Sequence, residues 1–155
     1  MVSRLLAEIK QTKPFARPGE EALVSILRTA AVVEHEINDV LKPFDLTSTQ
    51  YNVLRILRGA GSTGLCGREV GERLITQVPD VPRLLDRMTD AGLIARERDP
   101  ADRRHVTARI TPKGLRLLDD AEPALSAIER RRMGSLRPDD IQALLRHLEA
   151  VRSGT

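Results

Sequence analysis

Arg96, Arg98, Arg103, Arg104, Arg109 and Lys113 crowd one stretch, RERDPADRRHVTARITPKG at residues 96–114, in which apolar side chains are few. A segment of this kind is either a solvated loop or an instrument for a polyanion. The charge distribution favours the instrument: residues 83–113 hold 8 Lys/Arg against 5 Asp/Glu, whereas residues 20–45 hold 2 against 6, so a basic end and an acidic end coexist in a chain of net charge +3. That polarity suits a polyanion met on one side. Other chemistries lack their residues. His35-Glu36-x-x-Asp39 has the look of a zinc-protease helix without its second histidine, and it lies on an acidic amphipathic segment. No Gly-rich phosphate loop, nucleophile elbow or clustered His/Cys set occurs. The expectation is therefore no enzyme, no metal and no cofactor.

The elements that would position the arginines can be read around them. Val106, Ala108 and Ile110 alternate with His105, Thr107, Arg109 and Thr111, the period of a half-buried strand, and LIARER before the turn DPAD supplies its partner. Asp99, Pro100 and Asp102 are turn formers, which predicts a hairpin with a charged tip. Upstream, LTSTQY opens a helix with Thr47 and Gln50 as a capping box and Leu46 and Tyr51 as its hydrophobic staple. GAGSTG breaks that helix near Arg58. A short helix follows from Cys66-x-x-Glu69, again at capping-box spacing. PDVPRLLDRMTDAG then turns Leu84, Leu85 and Met88 inward and offers Gly92 as a C-cap. Two short helices and a hairpin make a winged helix-turn-helix, so the fold class is mainly α with a small β-hairpin wing.

Helices flank this unit. Residues 1–19 form a loosely patterned arm. Leu23, Ile26, Leu27, Ala30, Val33, Ile37, Val40 and Leu41 then lie on one helical stripe, ended by Lys42 and Pro43. Thr111-Pro112 opens a helix to about Arg132 in which Pro123 should force a kink. Gly134 and Ser135 interrupt it. Arg137-Pro138-Asp139-Asp140 opens a last helix with Ile141, Leu144, Leu145, Leu148 and Val151 on one face. The winged helix alone cannot cover these stripes, and a homodimer built from both ends of the chain would. At 155 residues and 41% hydrophobic, the chain can bury one modest core, or two small ones if it pairs with a copy of itself. No apolar run approaches a membrane span or a signal-peptide core, and a single cysteine leaves no internal disulfide, which together point to the cytoplasm.

LTSTQYNVLRIL and PDVPRLLDRMTDAGLIARERDPADRRHVTARITPKG resemble the MarR family of bacterial transcription regulators, over roughly residues 20–150 and most specifically at the wing. The resemblance implies an N-terminal arm and dimerisation helix over 1–46, a DNA-binding winged helix-turn-helix over 47–113, and C-terminal dimerisation helices over 114–155. It implies a homodimer on a pseudo-palindromic duplex operator, usually a repressor released by a small effector or by oxidation. Carried onto this chain, the resemblance puts Arg83 at base edges in the major groove, where a guanidinium bonds guanine O6 and N7 together. Arg87, one turn on, suits a phosphate. Asp102 and Arg104 resemble the family's Asp-x-Arg, in which the carboxylate braces an arginine that enters the minor groove. Arg68, Gln77, Asp80, Pro82, Arg98 and Arg103 complete the expected DNA-binding set. Asp80 is read as an N-cap rather than a cytosine contact, and Pro82 is comfortable only in a first helical turn.

Competing readings remain. A winged helix used only for protein interaction would not need the paired arginines Arg103 and Arg104. A small helical enzyme would need convergent titratable residues. Cys66 at a helix start could also sense peroxide, but no second cysteine resolves a sulfenic acid and the cap spacing already accounts for the residue.

Overall fold

The computed structural model describes residues 4–102 and 104–154. Its helices are α1 (Arg4–Glu8), α2 (Pro18–Leu41), α3 (Ser48–Ala60), α4 (Gly67–Arg73), α5 (Val81–Asp90), α6 (Pro112–Met133) and α7 (Pro138–Ser153); its strands are β1 (Leu65–Cys66), β2 (Ile94–Arg98) and β3 (Val106–Ile110). The strands form one antiparallel sheet in the order β1-β3-β2. The expected hairpin is β2–β3, with Ile94 opposite Ile110 and Arg98 opposite Val106.

Local chemistry fixes where these helices begin and end. Thr47 Oγ1 accepts the Gln50 N–H at 3.1 Å, and Gln50 Oε1 accepts the Thr47 N–H at 2.9 Å, a complete capping box at the start of α3. Leu46 and Tyr51 are both buried beside it, as the staple requires. Thr47→Ala is expected to cost about 1 kcal/mol; urea denaturation measures it, and an unchanged midpoint would mean that the box contributes nothing. At the C-terminal end of α5, Gly92 takes φ +70, its N–H reaches the Thr89 carbonyl at 2.9 Å and the Leu93 N–H reaches that of Met88 at 3.0 Å. That is a Schellman closure, which needs the left-handed residue that glycine supplies.

The core lies within the winged unit and the helices packed on it. Leu54 and Leu57 of α3, Val70 of α4, Leu85 and Met88 of α5, Ile94 and Ala108 of the sheet, and Leu118 and Ala121 of α6 belong to one buried cluster. Gly114 lets the start of α6 approach the sheet, because a Cβ there would lie 2.4 Å from the Leu93 carbonyl oxygen. The terminal helices are different. Leu23 and Leu27 on α2 and Leu144, Leu145 and Val151 on α7 are exposed, and α7 has no buried residue at all.

Two features depart from the sequence reading. The arm contains α1, whose Leu5 is buried, and α2 starts at Pro18, inside the stretch read as the arm. A third strand, β1, joins the hairpin by pairing Leu65 with Ala108 and Cys66 with Thr107. Pro123 lies inside α6, which runs from Pro112 to Met133, the span read from the sequence to within a residue; the proline removes one backbone donor from the helix.

Candidate nucleic-acid interface

Helix α5 owes its start to Asp80. Asp80 Oδ1 accepts the Arg83 N–H at 2.9 Å, so the carboxylate serves as N-cap, and Pro82 falls in the first turn where its missing N–H is harmless. Leu85 and Met88 face the core, which turns Arg83 and Arg87, one helical turn apart, outward. Both are exposed, and neither guanidinium has a hydrogen-bond or ion-pair partner among the described residues. With Thr49, Val78 and Pro79 they line one shallow concavity. Two unneutralised guanidiniums on the outer face of a helix are free to bond phosphates and base edges.

The hairpin tip is built by two aspartates. Asp99 Oδ1 accepts the Ala101 N–H at 2.8 Å and Asp102 Oδ1 accepts the Arg104 N–H at 3.0 Å, successive Asx turns, while the Asp99 N–H closes the loop on the His105 carbonyl at 2.9 Å. Asp102 therefore holds the backbone of Arg104 rather than its guanidinium, which has no partner among the described residues. The brace expected from sequence is present at a different atom. Arg103 lies outside the described residues.

The other expected residues are more scattered. Arg98, at the end of β2, borders a concavity between α5 and the hairpin. Gln77 is exposed in the connection between α4 and α5. Arg68 sits apart on α4 and is paired with Glu72 at 3.2 Å, which blunts its charge. Thr49, in the concavity of Arg83 and Arg87, escaped the sequence reading; its place next to the Thr47 cap was the available signal. Arg96 and Asp86, which join β2 to α5 as an ion pair, had no local signal because they belong to different elements.

Cys66 is half-buried and begins α4. Glu69 accepts the Cys66 N–H at 2.8 Å, the return half of the capping box, and the contacts with the Cys66 backbone and thiol hold the Glu69 carboxyl below its usual range. The thiol thus contacts the Glu69 carboxylate as part of the helix cap. Cys66→Ser is expected to change stability by about 1 kcal/mol or less and to leave DNA affinity unchanged. Thermal melts and gel shifts before and after mild peroxide check this: release of the wild type alone would make Cys66 a switch.

Residues 46–106 match the MarR family. The HTH-type transcriptional regulator YkoM of Bacillus subtilis (strain 168) is 32% identical over 115 residues, which are 74% of this chain and 73% of YkoM. A MarR transcription factor from Planctomyces limnophilus shares the fold at TM-score 0.68 and 34% identity, over 88% of this chain and 98% of that one. The chain belongs to the MarR family. It is a DNA-binding transcription regulator, not an enzyme, and α4, α5 and the β2–β3 hairpin have the arrangement of a winged helix-turn-helix. The fold recurs at TM-score 0.74 in the MepR–DNA complex of S. aureus, 19% identical over 84% of this chain and 94% of that one. Among the described residues no helix is long and apolar enough to cross a membrane.

Proposed function

We propose that this MarR-family chain is a cytoplasmic repressor that binds a pseudo-palindromic operator as a homodimer and is released by a small molecule. The observation that carries the reading is the uncovered apolar surface at both ends of the chain. Leu27 of α2 is 70% exposed, Leu145 and Val151 of α7 are 53% and 52% exposed, and Met133 at the end of α6 and Leu136 after it are also open to solvent. A second copy covers such faces at once, and a two-fold axis presents two readers to two half-sites. Residues 1–46 and 114–155 then dimerise, and residues 47–113 read DNA.

Arg83 takes the base-reading role and Arg87 the phosphate, with Thr49 beside them and Gln77 on the connection before α5 for backbone contacts; Arg68, apart on α4 and paired with Glu72, is outside this set. Arg104 enters the minor groove beside the wing strand that carries Arg98. Support comes from the free guanidiniums on α5 and at the wing tip, and from MepR, of the same fold, having been solved on DNA.

Release by a ligand is supported by a cavity of about 310 Å³ where α2, α3 and the connection before α5 meet. Val33, Ile37 and Leu125 line it together with Glu34, Asn52 and Arg55, a lining that suits a small, largely apolar molecule with a polar end. Asn52 Oδ1 also accepts the Ile75 N–H at 2.9 Å. A ligand that takes Asn52 competes with the bond holding the connection that leads into α5, which is a route from cavity to reader.

Light scattering of the protein, followed by selection of duplexes from a random library, tests the reading. The expected result is a mass of two chains and a selected site with inverted half-sites about one helical turn apart. A monomer, or a selected site with no inverted repeat, would refute it.

A further inference from the structure

An acid in the middle of a DNA-reading helix needs an explanation. Asp86 lies between Arg83 and Arg87 on α5, on the solvent side, where a free carboxylate would repel phosphates. The structure gives it a partner: Asp86 Oδ1 meets a guanidinium nitrogen of Arg96 on β2 as both hydrogen bond and ion pair. Arg96 is the shielded member, its side chain 27% exposed against 63% for Asp86. Arg98, the next outward residue on the same strand, has no such partner among the described residues.

Packing leaves a task for this pair. Two fully buried residues, Leu85 and Met88, anchor α5 to the core, and the Asp80 cap fixes its beginning. Apolar contacts on one side hold a ten-residue helix against the core but resist rolling about its axis weakly, because they are non-directional. A charge-assisted hydrogen bond on the flank is directional. It ties α5 to the strand that carries the wing, and β2 is locked to β3 by five paired positions from Ile94 to Arg98. On the other face of the hairpin Arg109 bonds Glu97 at 2.5 Å and the Ser62 carbonyl at 2.7 Å, so the hairpin is itself held to the body.

We propose that Asp86 and Arg96 are positioning residues that fix the angle between the recognition helix and the wing, so that major-groove and minor-groove contacts are made together. This rests on the reading of α5 and the hairpin as the two DNA-contacting elements. The pair touches no base; it contributes to specificity by fixing which spacing along the duplex satisfies both elements. It also neutralises the acid that stands between Arg83 and Arg87 in α5.

The experiment uses the full chain and two fluorescent duplexes, one selected by the wild type from a random library and one scrambled sequence of the same length. Asp86→Asn and Arg96→Gln are each expected to weaken binding to the selected duplex by about five- to tenfold, and the double variant by no more than either alone, as for two residues of one interaction. Arg96→Lys keeps the charge and should stay within about twofold. Asp86→Asn should not weaken the scrambled duplex, since it removes a negative charge. Melting temperatures should stay within about 3 °C of the wild type, because an ion pair this exposed contributes little to stability.

Additive losses in the double variant would overturn the proposal. So would a loss confined to Asp86→Asn, which would mark a base contact, or parallel losses on both duplexes with lowered melting temperatures, which would mark a merely structural pair. Arg83→Ala run beside these variants separates the two levels. If Arg83→Ala also leaves the selected duplex bound as before, the assignment of α5 fails; if only Asp86 and Arg96 are silent, the positioning role alone fails.

Discussion

Removing residues 137–155 is expected to yield a chain that is monomeric or aggregates and that binds its operator about a hundredfold more weakly or worse. The reason is where apolar surface lies. Helix α7 buries nothing fully against its own chain, yet it carries Ile141, Leu144, Leu145, Leu148 and Val151 along one side. Fully burying a Leu, Ile or Val side chain contributes about 1.5–3 kcal/mol, so a face of this size is a large fraction of a dimer interface and a solubility hazard when left bare. Joining two readers raises the effective concentration of the second, an advantage of about 10²–10⁴ in affinity that a monomer forfeits. The buried cluster that defines the winged unit ends at Ala121, so the deletion takes none of its members, and circular dichroism should still report a folded chain. Light scattering and anisotropy against the wild type's selected duplex measure the rest. A soluble truncated dimer with native affinity would place the interface elsewhere.

What the sequence made legible was local. The Thr47–Gln50 box, the Asp80 cap and the Gly92 closure each join residues within a few positions, so residue type and spacing suffice to find them. The hairpin was legible for the same reason: its alternation and its turn formers are contiguous. Strand β1 was not, because two residues carry no period and their partners, Ala108 and Thr107, come some forty positions later. The Asp86–Arg96 pair was hidden in the same way, each member reading as one more solvated charge on its own element. Asp102 is an intermediate case. Its proximity to Arg104 was plain, but which atom it would hold depends on the turn that the backbone adopts, and an Asx turn directs the carboxylate to the backbone N–H two residues on. The stripes on α2 and α7 were legible as faces needing cover, whereas the identity of the cover is a property of two chains and not of one.

The turn at Asp102 sharpens the expectation for the wing. Arg104→Ala should weaken operator binding by about 1–3 kcal/mol at matched salt while leaving dimer and fold intact, since its side chain is exposed and its guanidinium makes no contact among the described residues that stability could depend on. Asp102→Ala should weaken binding less and in the same direction, because it frees the Arg104 backbone without removing the cation. Asp102→Asn separates the two kinds of brace. An asparagine Oδ1 accepts the Arg104 N–H as well as a carboxylate does, so the turn survives and affinity should stay within about twofold, if not rise slightly from the lost negative charge. A carboxylate that gripped the guanidinium would not be replaced by a neutral amide, and Asn would then behave like Ala. Titrating the three variants against the selected duplex at one ionic strength decides the matter. Unchanged affinity in Arg104→Ala would remove the minor-groove role altogether, and an Asp102→Asn loss equal to that of Asp102→Ala would put the brace on the side chain after all.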